Sequence, residues 1–337
     1  MRWRRTCFLV FVSGILGAFY YFKIAAVPKV PGTNTTSVPL AAGEKVLELN
    51  KGEHVTQLAL RIGPGGVSQS SSEAVGSPEN TLKVVLQQAN GGIWHLTDPV
   101  SYPAESLVVD GLVSLLRLTQ RLRVLSFEGL EASEFGFEDP RLFVCVMTDR
   151  LERERCLRVG SQGAVGEGAY ARWDDEDTFF LVPGDFVRAF DKSLYSLRRK
   201  QIFSFTSSEL GAIQFQLSHP AVEIRRVETG WEISKPEPAR IESPAVGKIV
   251  EQLNHLYVKE FLDEGDWGDP KLGLGADSRL VRVTFSDGST RTLSWGLEAP
   301  GRDAYYARIG GEKTVVLVSL GRLKEIEATA RAVVTAP

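Results

Sequence analysis

The sequence is poor in the residues from which metal centres and disulfide-rich scaffolds are built. Its 337 residues include only three cysteines and four histidines. So few cysteines exclude a disulfide-dense scaffold, and no histidine or cysteine pair has the close spacing typical of a zinc site. Basic residues do not exceed acidic residues, at 39 against 42, so the overall charge does not favour nucleic acid. Phosphate-binding loops and G-x-S-x-G elbows are also missing. We therefore expect no metal, no cofactor and no catalytic residues.

Long apolar runs are missing too, except at the N-terminus. Arg2, Arg4 and Arg5 precede a mostly apolar run over residues 7–27. About 20 such residues can span a bilayer as a helix, and the arginines favour a cytoplasmic N-terminus. We expect a cytoplasmic tail at 1–6 and a transmembrane anchor at 7–27, with a cleaved signal peptide or a soluble helix as alternatives.

The segment 28–43 is rich in proline, serine and threonine, which predicts an extended linker. With the anchor in a bacterial inner (cytoplasmic) membrane, the rest of the chain would lie in the periplasm or extracytoplasmic space.

The remainder of the sequence contains an internal repeat. Trp94–Pro99 matches Trp231–Pro236 at an offset of 137 residues, and Tyr170-Ala171-Arg172 matches Tyr306-Ala307-Arg308 at an offset of 136. Repetition at a fixed offset indicates duplication of one structural unit. We predict a first unit at 44–200, a second unit at 201–326, and a C-terminal tail at 327–337.

The hydrophobic pattern within each unit predicts strands around one helix. Apolar residues alternate along several short runs, as in half-buried strands. They recur at helical spacing near Ala104–Gln120 and Ser243–Tyr257. The predicted fold class is therefore α+β: two tandem copies of an antiparallel-sheet unit, with one packing helix each, after a single N-terminal transmembrane helix.

Two of the cysteines fall in neighbouring predicted strands. If Val144 and Val146 share the buried face with the apolar residues of the next strand, Cys145 and Cys156 lie together on the opposite face. A hairpin loop centred on Arg150-Leu151 puts them directly opposite each other, within reach of a disulfide. A disulfide and two free thiols both fit this pattern.

The repeated Tyr-Ala-Arg segments are candidates for an interaction surface. In a strand, Tyr170 and Arg172 point to one face, and Tyr306 and Arg308 do the same in the second unit. Tyrosine and arginine are enriched at protein interfaces. The alternative is that each tyrosine covers a sheet edge while each arginine pairs with a carboxylate.

An acidic run in the first unit has the oxygen-rich composition that calcium prefers. It reads Asp174-Asp175-Glu176-Asp177, whereas the equivalent hairpin tip of the second unit reads Gly310-Gly311-Glu312-Lys313. Because the second copy lacks these carboxylates, a solvated turn is the favoured interpretation and weak cation binding is the alternative.

The order of these landmarks resembles the family called domain of unknown function 4340. The matching features are Gly92-Ile93-Trp94 to Pro99, Gly230-Trp231 to Pro236, the turn from Phe135 to Pro140, Val159-Gly160, the Tyr-Ala-Arg segments and Leu181-Val182-Pro183. In the second unit, Leu272-Gly273-Leu274 replaces the Phe-Gly-Phe turn and lacks its proline. The resemblance implies a membrane-anchored envelope protein, often found beside components of a gliding-type ABC transporter, and it implies no catalytic residues.

From these observations we expect a non-enzymatic accessory or scaffold subunit of a membrane complex. The resemblance suggests an ABC permease as its partner. The alternatives are an extracytoplasmic binding module for a cell-wall or small-molecule ligand, with a concave site between the units, and an enzyme of unrecognised type with buried titratable groups.

Overall fold

The computed structural model describes residues 44–63, 82–89, 91–127, 130–163, 168–217 and 221–335. The predicted tail, anchor and linker over residues 1–43 lie outside the described residues. Within the described part of the chain, no helix is both long enough and apolar enough to cross a membrane.

The first unit is a nine-stranded, fully antiparallel sheet. The strand order is β4-β3-β2-β1-β6-β7-β8-β9-β5. Its strands are β1 (Val55–Ile62), β2 (Leu82–Gln88), β3 (Trp94–Asp98), β4 (Tyr102–Pro103), β5 (Arg123–Ser126), β6 (Leu142–Thr148), β7 (Arg155–Gln162), β8 (Ala169–Trp173) and β9 (Thr178–Val182). Its helices are α1 (Ser106–Leu118), α2 (Gly184–Phe190) and α3 (Leu194–Leu197), with a 3-10 turn at Ala132–Phe135.

The second unit repeats this topology strand for strand, in the order β13-β12-β11-β10-β15-β16-β17-β18-β14. Its strands are β10 (Leu210–Gln216), β11 (Val222–Val227), β12 (Gly230–Lys235), β13 (Ala239–Ile241), β14 (Val258–Leu262), β15 (Arg279–Phe285), β16 (Thr290–Ala299), β17 (Ala304–Ile309) and β18 (Val315–Ser319). Its helices are α4 (Ser243–Asn254) and α5 (Leu320–Thr335), with a 3-10 turn at Pro270–Leu272. The prediction of two antiparallel α+β units is confirmed.

One face of each sheet is covered by a helix, and the core lies between them. Helix α1 buries Val109, Leu112 and Leu116, which recur at helical spacing on one side. Helix α4 buries the corresponding stripe in the second unit, formed by Val246, Ile249, Val250 and Leu253. The first core ends at Leu197 and the second begins at Ile202, so the predicted boundary at residue 200 falls between them.

The structure corrects the expected number of helices and the C-terminal boundary. Helix α5 continues to Thr335 and packs on α4, so most of residues 327–337 belong to the second unit and are not a tail. Ala330 is fully buried, and Glu327 accepts a hydrogen bond of 3.0 Å from the indole of Trp295. The second unit therefore has two long helices, whereas α2 and α3 of the first unit are short.

A close contact between two glycines recurs in both units. Gly136 and Gly273 end the 3-10 turns with φ of 73° and 65°, a left-handed conformation that glycine adopts easily. Each turn lies on a glycine of the neighbouring strand. A Cβ at Gly160 would lie 2.0 Å from the carbonyl oxygen of Phe135, and one at Gly296 would lie 2.1 Å from that of Leu272. The second unit thus keeps the geometry of the turn, although its sequence differs.

Candidate functional site

The first Tyr-Ala-Arg segment lies on the outer face of its sheet, opposite α1. Tyr170 and Arg172 are half-buried there, while Ala171 points into the core. The Tyr170 ring packs edge-on against Phe135, with centroids 4.9 Å apart, and the Arg172 guanidinium lies 5.2 Å from the ring centre of Phe127. Five aromatic rings cluster here, so the segment is largely occupied by contacts within its own unit.

The second segment has a more open surrounding. The Arg308 guanidinium lies 4.2 Å from the ring centre of Trp267, whose side chain is 45% exposed. Tyr306 lies two residues away on the same outer face. The two Tyr-Ala-Arg segments lie in different sheets, in β8 and β17.

Trp267 was not among the candidate residues predicted from the sequence. It lies in a polar loop, outside any periodic pattern, and its only signal is that a large aromatic residue stands among acidic residues and glycines. The Nε atoms of Arg172 and Arg308 are both buried without a hydrogen-bond partner. The guanidinium of each arginine lies over an aromatic ring, that of Phe127 for Arg172 and that of Trp267 for Arg308.

Cys145 and Cys156 are paired across β6 and β7 and form a disulfide. They are direct partners in the register, with Cα atoms 4.0 Å apart. Thr292 is the equivalent of Cys156, because its carbonyl accepts a backbone hydrogen bond from Gly310 as that of Cys156 does from Asp174. The partner of Thr292 across β15 and β16 is Arg282, which is therefore the equivalent of Cys145. Among the described residues, Cys145, Glu154 and Cys156 form a group of three possible metal ligands, but its two sulfurs are bonded to each other.

The junction between the units is built around a buried arginine. The side chain of Arg198 is 1% exposed, and its two terminal nitrogens donate hydrogen bonds of 2.9 Å to the carboxylate of Asp263. The same guanidinium lies 4.7 Å from the ring centre of Phe261, which packs edge-on against Tyr102. Because Arg198 and Tyr102 come from the first unit and their partners from the second, these contacts join the two units.

Backbone hydrogen bonds also tie the residues at the junction to both units. The Arg199 amide donates to the carbonyl of Pro103, at the edge strand of the first sheet, over 2.9 Å. The Val258 amide donates to the carbonyl of Lys200, also over 2.9 Å. The linking residues 198–202 therefore pair with both units and leave no unpaired stretch between them.

The acidic tip of the first unit is an ion-pair network. Glu176 accepts two hydrogen bonds of 2.8 Å from Arg121 and one of 2.7 Å from Arg155. Arg155 also donates from Nε to both oxygens of Asp175, and Asp174 pairs with Arg158. Arginines thus engage three of the four acidic residues. Asp174, Asp175 and Asp177 are nevertheless exposed, which agrees with the favoured interpretation of a solvated turn.

The equivalent tip in the second unit has the same backbone but lacks these partners. Gly310 donates to Thr292 as Asp174 donates to Cys156, over 2.8 Å and 2.9 Å. Glu312 therefore corresponds to Glu176, and Arg291 to Arg155. The residue equivalent to Arg121 is Val258, since their amides make matching bonds to the segment that enters each unit. Gly311 stands where Asp175 does.

Residues of the first unit act electrostatically on this second tip. We call the junction cluster His95, Tyr102, Arg199, Arg291 and Glu312, whose charges act on one another. Burial raises the pKa of Glu312, and Arg199, His95 and Arg291 oppose that shift. Burial also raises the pKa of Tyr102 to about 12, and burial together with Arg199 lowers the pKa of Arg291. The cluster is a half-buried group of mixed charge with two arginines and one carboxylate.

The fold and these surfaces define an α+β protein of two duplicated sheet units. The model of the family Domain of unknown function (DUF4340) matches residues 94–272 and 231–335, so the chain belongs to that family. The suspected family is therefore confirmed. Comparison with curated proteins and with solved structures gave no match.

Proposed function

We propose that this protein is a non-enzymatic, membrane-anchored subunit of the bacterial envelope that acts as an accessory or scaffold for a membrane complex. Its partner would be a membrane protein such as an ABC permease. The observation that carries the proposal is the group of Trp267, Tyr306 and Arg308 on the outer face of the second sheet, with Trp267 half exposed. These three residue types dominate binding energy at protein interfaces.

Two further features support a role in binding rather than in chemistry. A cross-strand disulfide fits an oxidising compartment outside the cytoplasm. The junction joins the two units through a buried ion pair, so both present fixed surfaces to a partner. The ABC transporter itself comes from the family resemblance described above, and the apolar run at 7–27 is what would hold the protein at the membrane.

Affinity purification of the tagged full-length protein from its native membranes in mild detergent tests this proposal. We expect a permease and an ATPase of an ABC transporter to co-purify, and to remain when the N-terminal run is replaced by an unrelated transmembrane helix. Trp267→Ala should reduce their recovery, because it removes the exposed ring of the proposed surface. Tyr257→Ala is the matched control, since Tyr257 is an equally exposed aromatic residue outside this surface.

Two outcomes would contradict the proposal. One is the absence of any stable membrane-protein partner at native abundance. The other is a partner whose recovery falls equally in the Trp267 and Tyr257 variants. The alternative function, an extracytoplasmic binding module for a cell-wall or small-molecule ligand, is favoured by one observation, the unmatched charges of the junction cluster.

A further inference from the structure

The two hairpin tips differ in how their arginine is neutralised. In the first unit, the Nε of Arg155 donates to Asp175 over 2.8 Å and 2.9 Å, and its Nη2 donates to Glu176. In the second unit, the Nε of Arg291 is buried and has no hydrogen-bond partner. A buried donor without an acceptor destabilises the folded protein. The duplication therefore shows which group is missing at Arg291: the carboxylate that Asp175 supplies to Arg155.

Space for that carboxylate exists beside the tip. Gly311 occupies the position of Asp175, and a Cβ placed on it would meet no atom within 4 Å. Val258 occupies the position of Arg121, so Glu312 has also lost the arginine that holds Glu176 with two hydrogen bonds. Both substitutions open the second tip, whereas the first tip is closed by its own side chains.

The charges around the opening favour an anion. Among the described residues, Arg199, Arg291 and Glu312 form no ion pair with one another or with any other residue within 4.0 Å. Two arginines against one glutamate leave a net positive charge. The backbone bond from Arg199 to Pro103 and the pairing of Pro103 with His95 fix the first-unit side of the opening.

We infer that the junction cluster binds a small carboxylate, whose carboxylate group takes on Arg291 the role that Asp175 takes on Arg155. Arg291 of the second unit binds it, and the charge of Arg199 from the first unit, which acts on both Arg291 and Glu312, adds attraction for an anion. The planar guanidinium matches a carboxylate with paired hydrogen bonds, and half-buried surroundings strengthen such a pair. A ligand held between the units also stabilises their junction. This inference does not depend on the scaffold function.

The neighbouring Glu312 selects among anions. Its negative charge repels a second charge on the ligand, so a carboxylate with one charge fits better than a phosphate with nearly two. Acetate is the appropriate probe, because it is the aspartate side chain without its backbone. Inorganic phosphate is the comparison anion, with chloride keeping the ionic strength equal in every sample.

The experiment measures the melting temperature of the full-length protein in detergent as acetate replaces chloride. We expect a saturable rise for the wild-type protein and a smaller one with phosphate. In Arg291→Gln the half-saturating acetate concentration should increase at least about tenfold, because the charge-assisted bonds are lost. Arg155→Gln, at the equivalent position of the first unit, should keep the wild-type response to acetate.

A second pair of variants tests the inference without removing an arginine. Gly311→Asp supplies the missing carboxylate from the chain itself, and it should abolish the acetate response. Gly311→Asn has nearly the same shape and no charge, so it should retain the response; both residues tolerate the left-handed φ of 88° at this position better than most. The inference is overturned if no protein shows a saturable rise, if Arg291→Gln responds like the wild type, or if the Asp and Asn variants behave alike.

Discussion

The guanidinium of Arg198 and the carboxylate of Asp263 meet across the boundary between the two units, joined by two hydrogen bonds of 2.9 Å. Arg198 is almost completely buried, whereas Asp263 is about one-third exposed at 32% of its side-chain surface. The rings of Phe261 and Tyr102 flank the guanidinium. This ion pair therefore links the C-terminal end of the first unit to the residue that follows β14 in the second unit.

Removing Asp263 should weaken this link strongly. Asp263→Ala leaves the Arg198 charge buried without its partner, and truncating one member of such a pair costs about 2–5 kcal/mol. The partial exposure of Asp263 favours the lower end of that range. Denaturant unfolding of the wild type and the variant, followed by tryptophan fluorescence, measures the change in the free energy of unfolding.

The exposed pair Arg188–Asp185 provides the control for that measurement. Both of its side chains are more than three-quarters exposed, at 79% and 83%. Exposed ion pairs contribute little, so Asp185→Ala should leave the unfolding curve nearly unchanged. Equal effects of Asp185→Ala and Asp263→Ala would show that the junction pair has no special role.

The disulfide should stabilise the first unit through the loop that it closes. Cys145 and Cys156 are separated by 11 residues in sequence. Closing a loop of this length removes entropy from the unfolded chain worth about 2–3 kcal/mol. Cys145→Ser combined with Cys156→Ser should therefore lower the free energy of unfolding by that amount. A reducing agent should destabilise the wild-type protein to the same extent and leave the double variant unaffected; any response of the double variant would point to another cause.

The glycine contact in the first unit should tolerate no side chain. In Gly160→Ala the new Cβ would clash with the carbonyl oxygen of Phe135, and backbone must move to relieve it. Overpacking of this kind costs about 1–3 kcal/mol or more. Gly111→Ala is the matched control, because Gly111 lies inside α1 with open space where a Cβ would be. Alanine there should stabilise the helix by about 0.5–1 kcal/mol. Thermal unfolding of the two variants should therefore shift in opposite directions.

Local periodicity was enough to predict the sheets. Alternation of apolar residues fixes which side chains share a face, so the valine and leucine neighbours of Cys145 and Cys156 placed the two cysteines on one face. Their direct opposition also required the hairpin loop to be centred on Arg150-Leu151. The match between the strands that contain Trp94 and Trp231 then indicated that the unit is duplicated. The last helix carried a weaker signal: Leu323, Ile326 and Ala330 are spaced as in a helix, but an alanine adds little hydrophobicity, and the predicted unit ended too early.

The junction could not be predicted from local patterns. Arg198 and Asp263 are 65 residues apart, and neither belongs to a periodic run. The difference between the two hairpin tips was visible in the sequence as an acidic run facing two glycines. The consequence for Glu312, the loss of its arginine partner, depends on Val258 being the equivalent of Arg121. Only the backbone pairing in the structure reveals that equivalence.

The carboxyl group of Glu312 should make the stability of the protein depend on pH. Burial raises its pKa, so the folded protein holds this proton more readily than the unfolded chain. The resulting stabilisation is complete below the ordinary glutamate pKa of about 4.3 and is lost as the pH rises through the raised pKa. Glu312→Gln cannot lose a proton, so its stability relative to the wild type should increase as the pH is raised from about 4 toward neutrality.

Glu176→Gln is the control at the equivalent position, and its effect should have the opposite sign. Glu176 is bonded to Arg121 and Arg155, so its neutral replacement should cost about 1–3 kcal/mol at neutral pH. Both variants are best compared in a His95→Gln background, because this change removes the imidazole that acts on the Glu312 carboxyl group; Arg199 and Arg291 also act on it and are kept in both variants. Denaturant unfolding at several pH values gives the comparison. A difference between Glu312→Gln and its parent that stays constant with pH would mean that the carboxyl group is as well solvated at the junction as in the unfolded chain.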